Sequence, residues 1–317
     1  MKKISFLCVL ALFVQLCVSP LTVNAAPKPS GTITISGAWA LYPMVVKWAE
    51  EFRKTYPDIR VDISAGGAGK GVADALAEVV DLGMVSRDLQ PTEIEKGVWF
   101  VAVTKDAVVP TINAANPLLK ELLAKGVKRQ AFISAWVDES IESWEKLMGR
   151  QGSTSLHVYT RSDSCGAAET WALYFGKKQE DLQGVGVYGD PGLAEAVKND
   201  QLGLGFNNIN YAYDAQSKRP IQGICILPID LNGNGTIDKA ESVYTTRDDI
   251  TKAIADGVYP SPPARDLYLA AKGQPRKELV RLFISWILSE GQKFVSEAGY
   301  ISLSSEKLAD GLKKLGK

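Results

Sequence analysis

"VDISAGGAGKGVADAL", residues 61–76, runs from alternating apolar positions through five small residues, Ala65 to Gly69, into a helical pattern carried by Val72, Leu76 and Val79. It is a strand that stops, a corner where a ligand can approach the backbone, and a helix whose first N–H groups lack intrahelical partners. Such a terminus attracts anions, and Lys70 adds charge. Two nucleotide loops that the corner superficially matches are excluded. A Walker loop would need glycine where Ser64 stands and Ser or Thr where Gly71 stands. A dinucleotide fingerprint starting at Gly67 ends on Val72, and one starting at Gly69 ends on Asp74.

The same junction recurs twice. "SGAWALYP", residues 36–43, follows the strand pattern "GTITISG" and opens a helix in which Leu41, Met44, Val45, Trp48 and Phe52 repeat at helical spacing. "RSDSCGAAETW", residues 161–171, follows "LHVYT" and delivers Arg161, whose guanidinium suits an oxyanion, to a third strand end. Glu169, in the first turn of that helix, is accounted for by the helix dipole. Further strands are expected at "VDLGMVS", "VWFVAVT", "LGLGFNNINYA" and "DLYLAAKG", and helices at "NPLLKELLAKGV", "AAETWALYFG" and "RKELVRLFISWILS". "EGQKFVSEAGYISLS" reads as a shorter helix followed by an extended tail, and "LQPTEIEKG" as a polar connection. Alternating strands and helices predict an α/β architecture, in which ligands sit where strand ends meet helix starts.

In their order, these segments resemble the phosphate-binding-protein family of ABC importers, within the type II periplasmic binding proteins. The stretches that carry the resemblance are "SGAWALYPMVVKWAEEFRKTYPDIRVDISAGGAGKGVADAL", "DLGMVSRDLQPTE", "RSDSCGAAETW", "VYPSPPARDLYLAAKG" and "LFISWILSEGQKFVSEAGYISL". The resemblance implies two domains, each a mixed sheet flanked by helices, joined by a two-segment hinge. Domain one would comprise 26–110 and 262–317 and domain two 111–261, with crossings near Val109–Thr111 and Tyr259–Pro263. It also implies a small anion, phosphate or another oxyanion, bound between the domains, and an ABC permease as partner. The implied contacts are Ala40, Leu41, Ala68, Gly69, Ser86, Arg161, Cys165, Gly166 and Ala167, with Asp163 orienting the arginine. Ala40, Ala68, Cys165 and Ala167 replace the family's usual hydroxyl donors, and Ser86 stands where some members carry a carboxylate. Each lost hydrogen bond to a charged ligand is worth about 1.5–3 kcal/mol. The substitutions therefore raise the alternative of another oxyanion or a small organic acid, with Trp39 and Tyr42 as walls.

A different motif lies at "DLNGNGTIDKAE", residues 230–241. Asp230, Asn232, Asn234, the Thr236 carbonyl, Asp238 and Glu241 occupy positions 1, 3, 5, 7, 9 and 12 of an EF-hand-like calcium loop, with Gly235 at position 6. All-oxygen ligands favour calcium over zinc or copper. The strand-like "IQGICILPI" replaces the entering helix, so the expected role is a structural clamp rather than a sensor.

The chain has 317 residues, and residues 1–25 have the layout of an export signal: Lys2 and Lys3, the apolar run "ISFLCVLALFVQLCV", then Val23 and Ala25. The apolar run is short for a membrane span and Gln15 interrupts it, while Leu16 before Cys17 disfavours lipidation. A periplasmic or secreted monomer is expected. With the leader set aside, 34 Lys and Arg face 36 Asp and Glu, which offers nothing to a nucleic acid. Cys165 and Cys225 remain, and export permits a disulfide between them. Two rival readings are a sensor or scaffold without a transporter, and a thiol enzyme in which His157 activates Cys165. The spacing of those two residues matches no catalytic pattern, so no enzymatic activity is expected.

Overall fold

The computed structural model describes residues 29–316, so the expected leader lies outside the described residues. Strands are β1 (Gly31–Gly37), β2 (Ile59–Ala65), β3 (Leu82–Val85), β4 (Val98–Asn113), β5 (Val127–Lys128), β6 (His157–Arg161), β7 (Val185–Val187), β8 (Gly203–Asn208), β9 (Ile224–Ile226), β10 (Ile229–Asp230) and β11 (Ala264–Lys272). One sheet runs β2-β1-β3-β11-β4-β8-β6-β7, with β9 also on β4, while β5 and β10 pair separately. Parallel pairs (β1 with β2 and β3, β6 with β7 and β8) mix with antiparallel ones formed by β4 and β11.

β4 joins the two halves. Its residues Val98–Ala107 pair with β11 and Val108–Ile112 pair with β8. The strand passes through Pro110, opposite Phe206. The apolar core divides at the same place. One cluster gathers Ile33, Trp48, Met84, Val101, Leu267, Phe283 and Ile287. The other gathers Val108, Phe132, Trp136, Trp171, Phe206 and Tyr259. Two cores on one continuous sheet make the two-domain α/β fold of type II periplasmic binding proteins.

The helices follow from their periodicity. Tyr42–Thr55 starts with Pro43, buries Met44, Val45, Trp48 and Phe52, and ends on Arg53 and Lys54, which suit the negative end of its dipole. Ala68–Leu76 and Gly166–Tyr174 follow the other two expected junctions. Differences from expectation are short-range. Pro91–Glu95 forms a helix within the polar connection, capped reciprocally by Gln90 and Glu93. The stretch after Ser289 gives only a 3-10 turn, Glu290–Phe294, and the chain then regains a helix at Ser305–Lys314, capped by Ser304. Among the described residues, no helix is long and apolar enough to cross a membrane.

Candidate functional site

β6 ends by carrying Arg161 into the seam between the lobes, where its side chain is fully buried. Asp163 grips it through two bonds, from Nε to Oδ1 at 2.8 Å and from Nη2 to Oδ2 at 2.7 Å. Asp190 accepts from Nη1 at 2.6 Å. Burial alone would lower the arginine's pKa, but these carboxylates more than offset it and hold the guanidinium charged. Three of the guanidinium's five N–H groups are engaged in these bonds.

Asp190 was not foreseen. It lies in the first turn of Gly189–Asn199, after β7, which is a fourth strand-to-helix junction visible as "VYGDPG" in the sequence. Its other oxygen accepts from the Asn208 side chain at 2.8 Å, and Asn208 in turn accepts from Arg265 Nη2. Arg265, on β11, also donates to the Ser86 carbonyl at 3.1 Å and faces Asp106 at 3.4 Å. A buried polar chain therefore links strands β4 and β11 to Arg161.

Of the other expected stretches, the glycine corner meets Ser164 and Ser86 meets Gly166 across the seam. Gly67 has φ of +92°, and a Cβ there would come within 2.6 Å of the Ser164 carbonyl, so only glycine fits this corner. The expectation that its amides stand ready for a ligand is modified. Gly66 and Gly67 donate to the Gly37 carbonyl and Gly69 to that of Ser164, across the seam at 3.4 Å. Leu41 likewise donates to Ala38, and the Ala40 carbonyl accepts from Tyr300 at 2.7 Å. Gly166 lies so close to Ser86 that an added Cβ would overlap the Ser86 carbonyl oxygen. Ala40, Ala68, Ser86 and Ala167 are all buried. Trp39 meets Tyr188 of the other lobe edge-on with centroids 6.3 Å apart, and Tyr211 donates to the Trp39 carbonyl.

Cys165 caps its helix: Sγ accepts from the Ala168 amide at 3.4 Å, and its own amide donates to Gln179. Burial pushes the thiol up to about 12, and His157 is engaged with Asp200, 2.7 Å away at the far end of β6. A protonated thiol without a base is not a nucleophile. Cys165 and Cys225 are both free. Glu169 lies in the first turn of its helix, as the dipole reading expects, and also pairs with Arg87 of the other lobe at 3.1 Å and accepts from Gln90 at 2.5 Å.

In the loop at 230–241, Asp230 and Glu241 are buried. Asp230 accepts from the amides of Gly233 and Gly235, and Glu241 from those of Leu231, Asn232 and Asp238. Asn232 donates to Asp238 and Asn234 accepts from Thr236. Among the described residues, no group of three or more His, Cys, Asp or Glu is gathered to hold a metal. The expected set would therefore depend on amide and carbonyl oxygens beside its acids.

Known proteins are similar to this chain over most of its length. Protein SphX of Synechococcus elongatus is 23% identical over 301 residues, covering 90% of this chain and 81% of the relative. Phosphate-binding protein PstS of Bacillus subtilis is 25% identical over 285 residues, covering 89% and 84%. A phosphate-bound crystal structure from Clostridium perfringens superposes with a TM-score of 0.70 at 21% identity, covering 86% of this chain and all of the other, and so bears on the fold. Residues 22–291 match the family described as the PBP superfamily domain, and the chain belongs to that family.

Proposed function

We propose that this chain is the extracytoplasmic substrate-binding protein of an ABC importer, and that it binds phosphate between its lobes without acting as an enzyme. The observation that carries this reading is Arg161, buried at the seam and held by Asp163 and Asp190. The phosphate-binding protein of B. subtilis among the relatives and the phosphate in the C. perfringens structure support the same ligand. Ala40, Ala68 and Ala167 supply no side-chain donors, so the anion would rely on Arg161, Ser86 and main-chain amides of Ala68, Gly166 and Ala167. The hinge would lie where β4 passes from one core to the other and where the chain returns through residues 259–263.

Titration calorimetry of the protein freed of its leader tests the ligand. Inorganic phosphate is expected to bind in the micromolar range or tighter, and Arg161→Met to abolish the heat. Silence with phosphate together with a response to sulfate, molybdate or a small carboxylate would transfer the site to another anion.

We infer also that the loop at 230–241 takes a structural calcium ion. The spacing of its oxygen-bearing residues and the burial of Asp230 and Glu241, whose carboxylates already organise the loop amides, support this reading. Calcium there would neutralise buried carboxylates and fix the loop.

A further inference from the structure

Beside the ligand seam, Arg87 lies between two carboxylates that belong to different lobes. On its own side, Glu93 accepts from Nη1 at 2.9 Å and from Nη2 at 2.7 Å. Across the seam, Glu169 lies 3.1 Å from Nε. The Arg87 side chain is only 7% exposed, so the charge is largely withdrawn from water and is offset by carboxylates, Glu93 foremost. Gln90 supports the same contact: its amide N–H binds Glu93 and its side chain donates to Glu169. The residues adjoin the proposed ligand contacts in sequence, since Arg87 follows Ser86 and Glu169 follows the run Cys165–Gly166–Ala167. Arg87 and Glu169 also line a cavity of about 330 Å³ whose wall includes Arg265, Ser261 and Pro262, so it is bounded by both lobes and by the returning hinge segment.

We propose that Arg87 and Glu169 are positioning residues that latch the lobes closed over the ligand. Neither is placed to touch the ligand; they act on the geometry of Ser86 and of the Gly166 helix start, one on each side of it. The latch has a built-in asymmetry. Losing Glu169 leaves Arg87 satisfied by Glu93 and merely removes a tie. Losing Arg87 leaves Glu93 and Glu169 facing each other as uncompensated like charges, which drives the lobes apart. An isolated pair on an open surface would have little effect, but here the Arg87 side chain is withdrawn from water and Glu169 is also held by the Gln90 side chain.

The inference rests on the two-lobe binding reading, and the experiment separates the two. Small-angle scattering gives the radius of gyration of wild type, Arg87→Gln and Glu169→Ala, each without ligand and with inorganic phosphate, and stopped-flow mixing gives the phosphate dissociation rate. Arg87→Gln is expected to be more expanded than wild type and to release phosphate about tenfold faster or more. Glu169→Ala should show the same changes to a smaller extent, and the double variant should resemble Glu169→Ala, because the repulsion needs both acids. Glu121→Gln, which breaks the Arg150–Glu121 pair within one lobe, should change neither reading. Wild-type compactness and release rate in both latch variants would overturn the proposal, as would equal changes in the Glu121 control. Should wild type bind no phosphate, the ligand assignment fails while the ligand-free scattering still decides the latch.

Discussion

Asp106 is fully buried on β4, facing Arg265, and burial outweighs that attraction and raises its pKa to about 6, with Asp190 adding repulsion. An unfolded aspartate titrates near 3.9, so the folded state holds this proton more tightly. The associated stability is complete below about pH 4 and is lost as pH rises through about 6, a change on the order of 3 kcal/mol. Denaturant melts between about pH 4 and 7.5 should show that decline in wild type, and Asp106→Asn should flatten it. An unchanged slope in the variant would remove Asp106 as its source. Burial acts on Cys165 in the same direction. Its thiol, kept protonated at neutral pH, serves as a helix cap, and the apparent nucleophile in "SDSCGAAE" is a packing residue.

At the level of the element, the loop at 230–241 is tied to its surroundings by β10 pairing with β5 and by Ile237, whose amide donates to the Ala124 carbonyl. A calcium ion seated there would stabilise both the loop and the neighbouring helix end. A bound ligand in ten- to hundredfold excess over its Kd contributes roughly 1–3 kcal/mol. Chelation should therefore lower the melting temperature by several degrees, and Glu241→Gln should lower it without chelator and abolish the chelator effect. Equal melting with and without chelator would count against a structural ion. Elements with strong local patterns were readable before any coordinates: β1, β2, the Tyr42–Thr55 helix and the Glu278–Leu288 helix each present an apolar period that one folded form satisfies. The Ser305–Lys314 helix was missed although Leu308, Leu312 and Leu315 recur at helical spacing, because the stretch is short, rich in charge and fully buries only Gly311.

For the whole molecule, function under this reading depends on how closely the lobes meet. Gly166 stands at the tightest approach, with Ser86 occupying the space a side chain would need. Gly166→Ala should leave each core intact yet hold the lobes apart, at a cost of about 1–3 kcal/mol. Phosphate affinity should then fall roughly tenfold to a hundredfold, with little change in melting temperature of the ligand-free protein. Wild-type affinity in this variant would show that binding does not require the observed approach of Gly166 to Ser86.

What the amino-acid order determined by itself is local: the strand and helix periods, the glycine corner, the arrival of an arginine at a strand end, and the oxygen spacing of the 230–241 loop. Each depends on residues within a few positions of one another, whose relations are set by the repeat of the backbone. Tertiary structure alone decided who partners whom. Asp190 takes a bond from Arg161 across 29 residues, the Ser164 carbonyl meets the Gly69 amide, and Glu169 reaches across the seam to Arg87 and Gln90. Those pairings arise because β4 and β11 bring two separately built cores edge to edge. A polar group buried at that junction takes the partner that geometry places within reach, however distant in the chain.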